Sequence, residues 1–349
     1  DWLEERGHEV REVPLDGGSY LRHLCHNLEG AWVERLAAER WDLILQDELV
    51  HPSLFRLNRR LRRSAGAPIV SIVHHLRSSE PEHPWLLRPL YRGVERRYLE
   101  TVDAFVFNSR NTRLEVESLL GRATRGMIAR PGGDRLGSVD DEATLVARAL
   151  EPGPLRVVFV GNLIARKNLE TLLRALASVE ADWSLDVVGA GVDEAYARGV
   201  QALTRELGLA QRVRFRGALA DDELAARLAA SHVLAVPSTW EGFGIVYLEG
   251  MAFGLPAIAS TGGAAGEVVA EGETGFLVPP DDEATLAQRL QSLARDRHRL
   301  AEMAIAARRH FLGQPRWRDT AATIEAYLED VWIERRAALR RRAEAPAAR

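Results

Sequence analysis

Two glutamates in one short segment are the first residues whose types and spacing could do chemistry. They lie in Ser238-Thr239-Trp240-Glu241-Gly242-Phe243-Gly244-Ile245-Val246-Tyr247-Leu248-Glu249-Gly250. The segment follows the apolar run Val233 to Val236 and Pro237, and it opens a helix expected to run to about Phe253. Gly242 and Gly244 let a ligand approach the backbone. The helix start offers free N–H groups and a positive dipole end, which suit an anion or sugar hydroxyls. Two carboxylates at this spacing can hold two hydroxyl-bearing parts of one extended ligand. Equally, Glu241 can serve only to favour the helix start and Glu249 can be surface charge. Spacing alone does not choose between these readings.

A second constellation is Val158-Phe159-Val160-Gly161-Asn162-Leu163-Ile164-Ala165-Arg166-Lys167-Asn168. It reads as a strand, a glycine turn and two adjacent cations just before a helix that Asn168 caps and Leu169 to Val179 forms. Cations sit badly at a helix amino end. Two of them there point to an anion, such as a diphosphate, held between them and backbone amides; the alternative is a solvated pair. A third is Ile69-Val70-Ser71-Ile72-Val73-His74-His75, a buried strand ending in two histidines. His74 at a strand's carboxyl end can donate to a sugar or phosphate oxygen, or be an ordinary core histidine. No neighbouring Asp, Glu or His has the spacing of a metal-ligand set, so no metal is expected. Cys25, the single cysteine, excludes an intrachain disulfide and reads as a half-buried helix residue rather than a nucleophile.

The elements that must position these residues alternate between strand and helix. In the first half, Val10 to Leu15, Asp42 to Gln46, Pro68 to Val73, Ala104 to Phe107 and Met127 to Ala129 read as strands. Ser19 to Glu39 and Trp85 to Thr101 have helical periodicity. From Arg135 to Pro154 the pattern lapses into a polar linker with one short helix. It then restarts with strands at Leu155 to Val160, Ser184 to Val188, Val213 to Arg216, Val233 to Val236, Ala257 to Ala259 and Phe276 to Val278. Such alternation predicts parallel sheets covered by helices on both faces, with ligands at the carboxyl ends of the strands. The division is expected at 1–150 and 151–314. After Asp281 the chain reads as helical, and the Arg- and Ala-rich tail from Glu334 as a solvated end.

The 349 residues suffice for two ordinary domains, and 46% apolar with 28% charged residues is a globular composition. A net charge of −4 gives no global reason to expect nucleic acid. No apolar run is long enough to span a bilayer. The cluster Arg59, Arg60, Arg62 and Arg63 reads as a solvated helix face or as a dock for an anionic membrane surface. The chain opens at Asp1 as if inside a helix, so a preceding segment is expected.

These motifs resemble those of the retaining glycosyltransferases of family 4. Glu241 and Glu249 match that family's E-x7-E motif. Gly254-Leu255-Pro256-Ala257-Ile258-Ala259, Gly262-Gly263, Glu267 and Thr274 to Pro280 match the segment after it. Gly161 to Lys167 resembles the diphosphate-binding element, with Asn162 in place of the usual arginine. His74 fits the strand-end histidine, Asn108-Ser109 and Gly132-Gly133-Asp134 fit weaker signatures, and the region around Trp317 resembles a helix, 315–335, that returns to the first domain. The family's first strand and its glycine-rich loop are not found, which should leave a hole in the first sheet.

The resemblance implies a GT-B fold, an α/β architecture of two Rossmann-like domains facing across a cleft, the first acceptor-side and the second donor-side. It implies transfer of a sugar from a nucleoside diphosphate sugar to an acceptor hydroxyl, with retention and without metal or cofactor. Lys167, Arg166 and Asn162 would neutralise the diphosphate. Glu249 would hold the ribose, and Glu241 with the amides of Gly242, Phe243, Gly244 and Ile245 would orient the sugar. His74 would reach the sugar or acceptor. Gly189 to Gly191 and Arg216 to Leu219 would flank the base. Glu241, His74 and Lys167 are thus the catalytic candidates. The acceptor is open among saccharide, lipid-linked and small molecules, and the expected setting is cytoplasmic with peripheral membrane contact. A GT-B epimerase and a non-catalytic sugar-nucleotide binder remain as alternatives.

Overall fold

The computed structural model describes residues 2–15, 18–28, 34, 36, 38–64, 66–80, 84–139 and 141–344. They form two compact units. Unit 1 takes residues 1–79, 83–130 and 318–349, and unit 2 takes 80–82 and 131–317.

Unit 1 runs through α1 (Trp2–Glu5), α2 (Tyr20–His26), β1 (Ile44–Asp47), α3 (Phe55–Ser64), β2 (Ile69–Val73), α4 (Arg88–Leu99), β3 (Ala104–Phe107), α5 (Arg110–Leu120) and β4 (Gly126–Ile128). Its strands pair in parallel in the order β1-β2-β3-β4. Alternation along the strands supplies two buried faces. Phe105 and Phe107 join Ile69, Leu57, Leu61, Tyr98 and Leu99 on one side. Ala104 and Val106 join Val70, Leu328 and Val331 on the other.

Unit 2 runs through α6 (Glu142–Leu150), β5 (Leu155–Val160), α7 (Leu169–Ala177), β6 (Trp183–Val188), α8 (Glu194–Glu206), β7 (Val213–Gly217), α9 (Asp221–Ala230), β8 (Val233–Val236), α10 (Ile245–Ala252), β9 (Ala257–Ser260), β10 (Gly275–Val278), α11 (Glu283–Arg295) and α12 (Arg297–Leu312). The last helix, α13 (Trp317–Glu344), belongs to unit 1 from Arg318. The parallel sheet has the order β10-β9-β8-β5-β6-β7. From β5 the chain builds outward through β6 and β7. It then returns to pair β8 with the other side of β5, in the register Val157↔Val233 and Val158↔Leu234. The carboxyl ends of β5 and β8 therefore flank a topological switch point, where doubly wound sheets open a crevice.

Several expectations need correction. The units divide at Arg130, before the expected residue 150. The polar stretch after it is anchored in unit 2. Asp141 caps α6 by accepting from Ala143 and Thr144 N–H, Ala149 joins the core of β5 and β8, and Val139 N–H donates to the Ala252 carbonyl at 3.1 Å. Val10 to Leu15 is no strand, because a strand needs a ladder and none lies beside it among the described residues; only Leu15 packs on the core. The helix expected over Ser19 to Glu39 is realised as α2, and its centre falls outside the described residues. The first sheet has no internal gap, and β1 forms one edge with Leu45 39% exposed. The tail from Glu334 continues the helix to Glu344, with its described side chains exposed or half-buried, as a solvated end would have them; Cys25 is exposed rather than half-buried.

Candidate active site

The loops leaving β5 and β8 are tied to each other. Thr239 N–H donates to the Arg166 carbonyl at 2.9 Å, and the Arg166 guanidinium donates to the Trp240 carbonyl at 2.9 Å. This brings the expected diphosphate element and the expected sugar element together. Lys167 Nζ lies 2.5 Å from Glu241 Oε1, Ser238 Oγ donates to the same oxygen at 2.6 Å, and Arg166 lies 3.8 Å from Oε2. Lys167 and Arg166 are only 14% and 21% exposed, so they are not a solvated pair. Burial pushes the Glu241 carboxyl up, but the charge and hydrogen bond of Lys167, with Ser238 and Arg166, outweigh it. The net shift is downward, so Glu241 is held as a carboxylate.

The backbone here depends on two glycines. Gly263 has φ +76°, and a Cβ there would sit 2.1 Å from the Glu241 carbonyl oxygen. That close approach lets Glu241 N–H donate to the Gly262 carbonyl and Ala264 N–H to the Glu241 carbonyl. Gly244 caps α10 with φ +91° and no side-chain hydrogen bond, and a Cβ there would lie 2.5 Å from the Tyr247 ring. Tyr247 is fixed by its hydroxyl, which donates to the Val236 carbonyl at 2.7 Å. Phe243 is buried, so its side chain is a packing group and its offer to a ligand is backbone.

Glu249 is not surface charge. It lies within α10, which is buried from Val246 to Ala252. Its partner is one the sequence reading missed: Arg135 donates from Nε to Glu249 Oε1 at 3.0 Å and pairs through Nη1 with Asp221 at the start of α9. Burial pushes the Glu249 carboxyl above the ordinary glutamate range, and Arg135 offsets only part of this. The two glutamates thus face two different cations and titrate in opposite directions. The only hint of Arg135 was its place directly after Gly132-Gly133-Asp134. Asp134 has its own role, accepting from Trp317 N–H at 2.9 Å where α13 begins.

Asn168 occupies the expected cap of α7, but in left-handed conformation and without a side-chain cap. Its amide donates instead to Asp281 at 2.8 Å. Asn162 lies in the loop after β5, where its carbonyl accepts from Ile164 N–H. Arg216, expected near the base, donates to Asp186 at 2.7 Å.

In unit 1, His74 follows β2 directly, and its Nε2 lies 3.5 Å from Asp47 Oδ2 at the end of β1. Burial raises the Asp47 carboxyl, but hydrogen bonds from His74 and Leu49 N–H reverse this and hold it below its ordinary range. His74 is 41% exposed, so it is no core histidine. Among the described residues, one set of potential metal ligands comes together: His8, Glu325 and Glu329 of unit 1. Glu325 there already accepts from Trp2, Arg6 and His8. No helix of the described residues is long and apolar enough to cross a membrane.

Residues 141–310 match the model of glycosyl transferases group 1, and residues 2–132 that of glycosyltransferase family 4. The GDP-mannose-dependent alpha-(1-6)-phosphatidylinositol monomannoside mannosyltransferase of Mycolicibacterium smegmatis is 31% identical over 280 residues, which cover 76% of this chain and 71% of the relative. A D-inositol 3-phosphate glycosyltransferase of Streptomyces avermitilis is 36% identical over 302 residues, 79% of this chain and 62% of that protein. Among solved structures, sucrose-phosphate synthase from Thermosynechococcus elongatus superposes with a TM-score of 0.76 at 25% identity, covering 89% of this chain and 79% of that one. With two parallel α/β units of GT-B type and the paired glutamates at the second unit's switch point, the chain belongs to glycosyltransferase family 4.

Proposed function

We propose that this chain transfers a sugar from a nucleoside diphosphate sugar to an acceptor hydroxyl with retention of anomeric configuration. The observation that carries the reading is the convergence of Lys167, Arg166 and Glu241 beside the amino end of α10. On this reading the two cations take the diphosphate, whose charge grows as the glycosidic bond breaks. The leading amides of α10 add dipolar stabilisation. Glu241 orients the reacting sugar, and Glu249 accepts from the ribose hydroxyls in exchange for its bond to Arg135. His74, poised by Asp47, donates to an oxygen of the sugar or acceptor. Attack comes from the face the leaving group departs, with no enzyme nucleophile. Lys167 and Arg166 supply the charge that a metal would otherwise bring, so transfer should persist in excess chelator.

The relatives' names guide the choice of substrates. GDP-mannose is the first donor to test, and an inositol-bearing acceptor the first acceptor, because both relatives are named for inositol derivatives. The experiment offers GDP-mannose, UDP-glucose and ADP-glucose in turn with inositol phosphate or with phosphatidylinositol mannoside vesicles. The product's linkage is then read by NMR. The reading predicts one donor-acceptor pair giving a glycoside of unchanged anomeric configuration. An inverted product refutes retention. Turnover of the donor sugar into its epimer without acceptor replaces the reading with an epimerase.

A further inference from the structure

We infer that unit 1 carries a second anion site, a phosphate-binding groove at the amino ends of its strands. This stands apart from the transferase reading, which uses unit 2 and the carboxyl ends of β1 and β2. The groove encloses about 320 Å³ between α13 and the sheet. Pro68, Asp103 and Arg125, which directly precede β2, β3 and β4, form one wall, and Glu334, Arg335 and Arg341 of α13 form the other. All strands of this sheet are parallel, so these residues share one pole of it, opposite His74 and Asp47.

The charge in the groove does not cancel. Asp103 accepts from Arg62 at 2.9 Å and from Ile69 N–H at 3.0 Å. Glu334 is paired with Arg125 at 3.0 Å. Both acids are therefore committed, whereas Arg335 spends its Nε on the Gly66 carbonyl at 2.8 Å and Arg341 stands exposed on α13. That bond fixes the Arg335 fork in place and leaves its terminal nitrogens to a ligand. Two guanidinium groups over an apolar floor that includes the buried Val331 suit a phosphate, which they can grip with paired hydrogen bonds. The surroundings reinforce this. Besides Arg62, which is spent on Asp103, α3 carries exposed Arg56 and Arg59 with no acid in its sequence, and Arg340 lies exposed beside Arg341 on α13. Such a field concentrates anions near the groove. The ligand chemistry is a phosphate group, free or presented by a lipid headgroup.

The test uses the full chain and two probes. Inorganic phosphate is titrated against amide NMR shifts, and flotation is measured with phosphatidylcholine vesicles with and without phosphatidylglycerol. Arg341→Gln and the double variant Arg335→Gln/Arg341→Gln are compared with wild type, and Arg198→Gln on α8 is the control. At least one phosphate-bearing probe should bind, weaken roughly tenfold in the double variant, and stay unchanged in the control. Binding that the double variant loses supports the site, and the probe or probes that show this loss name which phosphate sources it takes. If the double variant misfolds by circular dichroism, the loss in Arg341→Gln alone decides. Neither probe binding, or the double variant binding as wild type does, overturns the inference.

Discussion

Replacing Lys167 by Met removes one charge and keeps most of the side chain's volume. In the structure Glu241 would then keep the Ser238 hydroxyl at 2.6 Å and Arg166 at 3.8 Å, inside a site where it is nearly fully buried. A buried carboxylate left so can escape by taking a proton. From the ordinary glutamate value of 4.5 to pH 7, that costs about 3.4 kcal/mol at 1.36 kcal/mol per unit. This caps the charge-burial part of the destabilisation, to which the lost pairing energy adds. The cap shrinks as pH falls and vanishes near 4.5. Urea unfolding followed by circular dichroism should therefore show a large stability loss at pH 7 and a much smaller one at pH 5. Adding Glu241→Gln, which removes the stranded charge, should recover much of the loss at pH 7. Catalysis should not recover, because the diphosphate still lacks its cation. A lost charge-assisted contact of roughly 2–4 kcal/mol in the transition state lowers kcat/KM by about 30- to 900-fold. A folded Lys167→Met enzyme within about threefold of wild type would refute the role given to this lysine.

Three further outcomes follow from the same geometry. Glu241→Gln should lower kcat more than it raises the donor KM, and Glu249→Gln the reverse, because only Glu241 is placed beside the centre that develops charge; steady-state kinetics with a separately measured donor Kd reads this, and the opposite split reverses the two roles. In carboxyl-labelled NMR titrations Glu241 should lose its proton below the ordinary value of 4.5 and Glu249 above it. By linkage, Glu241 then stabilises the fold at neutral pH and that contribution is lost as pH falls through its folded value. Glu249 opposes the fold at neutral pH, and that opposition is relieved as pH falls from its folded value towards 4.5; one shared titration point above 4.5 contradicts the pairing described. Gly263→Ala should destabilise unit 2 by at least about 2 kcal/mol and depress transfer, since its Cβ would strike the Glu241 carbonyl; unchanged stability in urea would show that this loop has room to move.

The second unit was largely legible before the structure. Leu155 to Val160 and Val233 to Val236 are apolar runs bounded by glycine and proline, and β5 and β8 begin and end where that reading put them. Buried parallel strands need little from distant sequence to declare themselves. Val10 to Leu15 alternates less cleanly, with Arg11, Glu12 and Pro14 inside it; it is not a strand, because Pro14 cannot donate to a ladder and no neighbour among the described residues pairs with it. The unit boundary misled for a related reason. Residues 131–150 mix charged and apolar residues without a clear period, but Leu136, Leu145 and Ala149 reach a buried setting, and these three side chains outweigh the tone of the stretch around them. Lys167 and Glu241 were each legible from motif, yet their contact was not. It joins residues far apart in sequence through loops that only the β5-β8 pairing brings together. Arg135 was missed as a site residue, since its place after Gly132-Gly133-Asp134 does not announce a partner 114 residues away.

The central claim is that the switch point of unit 2 binds a nucleoside diphosphate sugar through Lys167 and Glu249. Isothermal titration of the wild type with GDP-mannose, UDP-glucose and ADP-glucose tests it most directly, repeated with Lys167→Met and Glu249→Gln. The account predicts that one donor binds selectively and that each variant weakens it roughly tenfold or more, as expected for loss of a charge-assisted hydrogen bond. Failure of every donor to bind the folded wild type, or equal affinity in both variants, would contradict it.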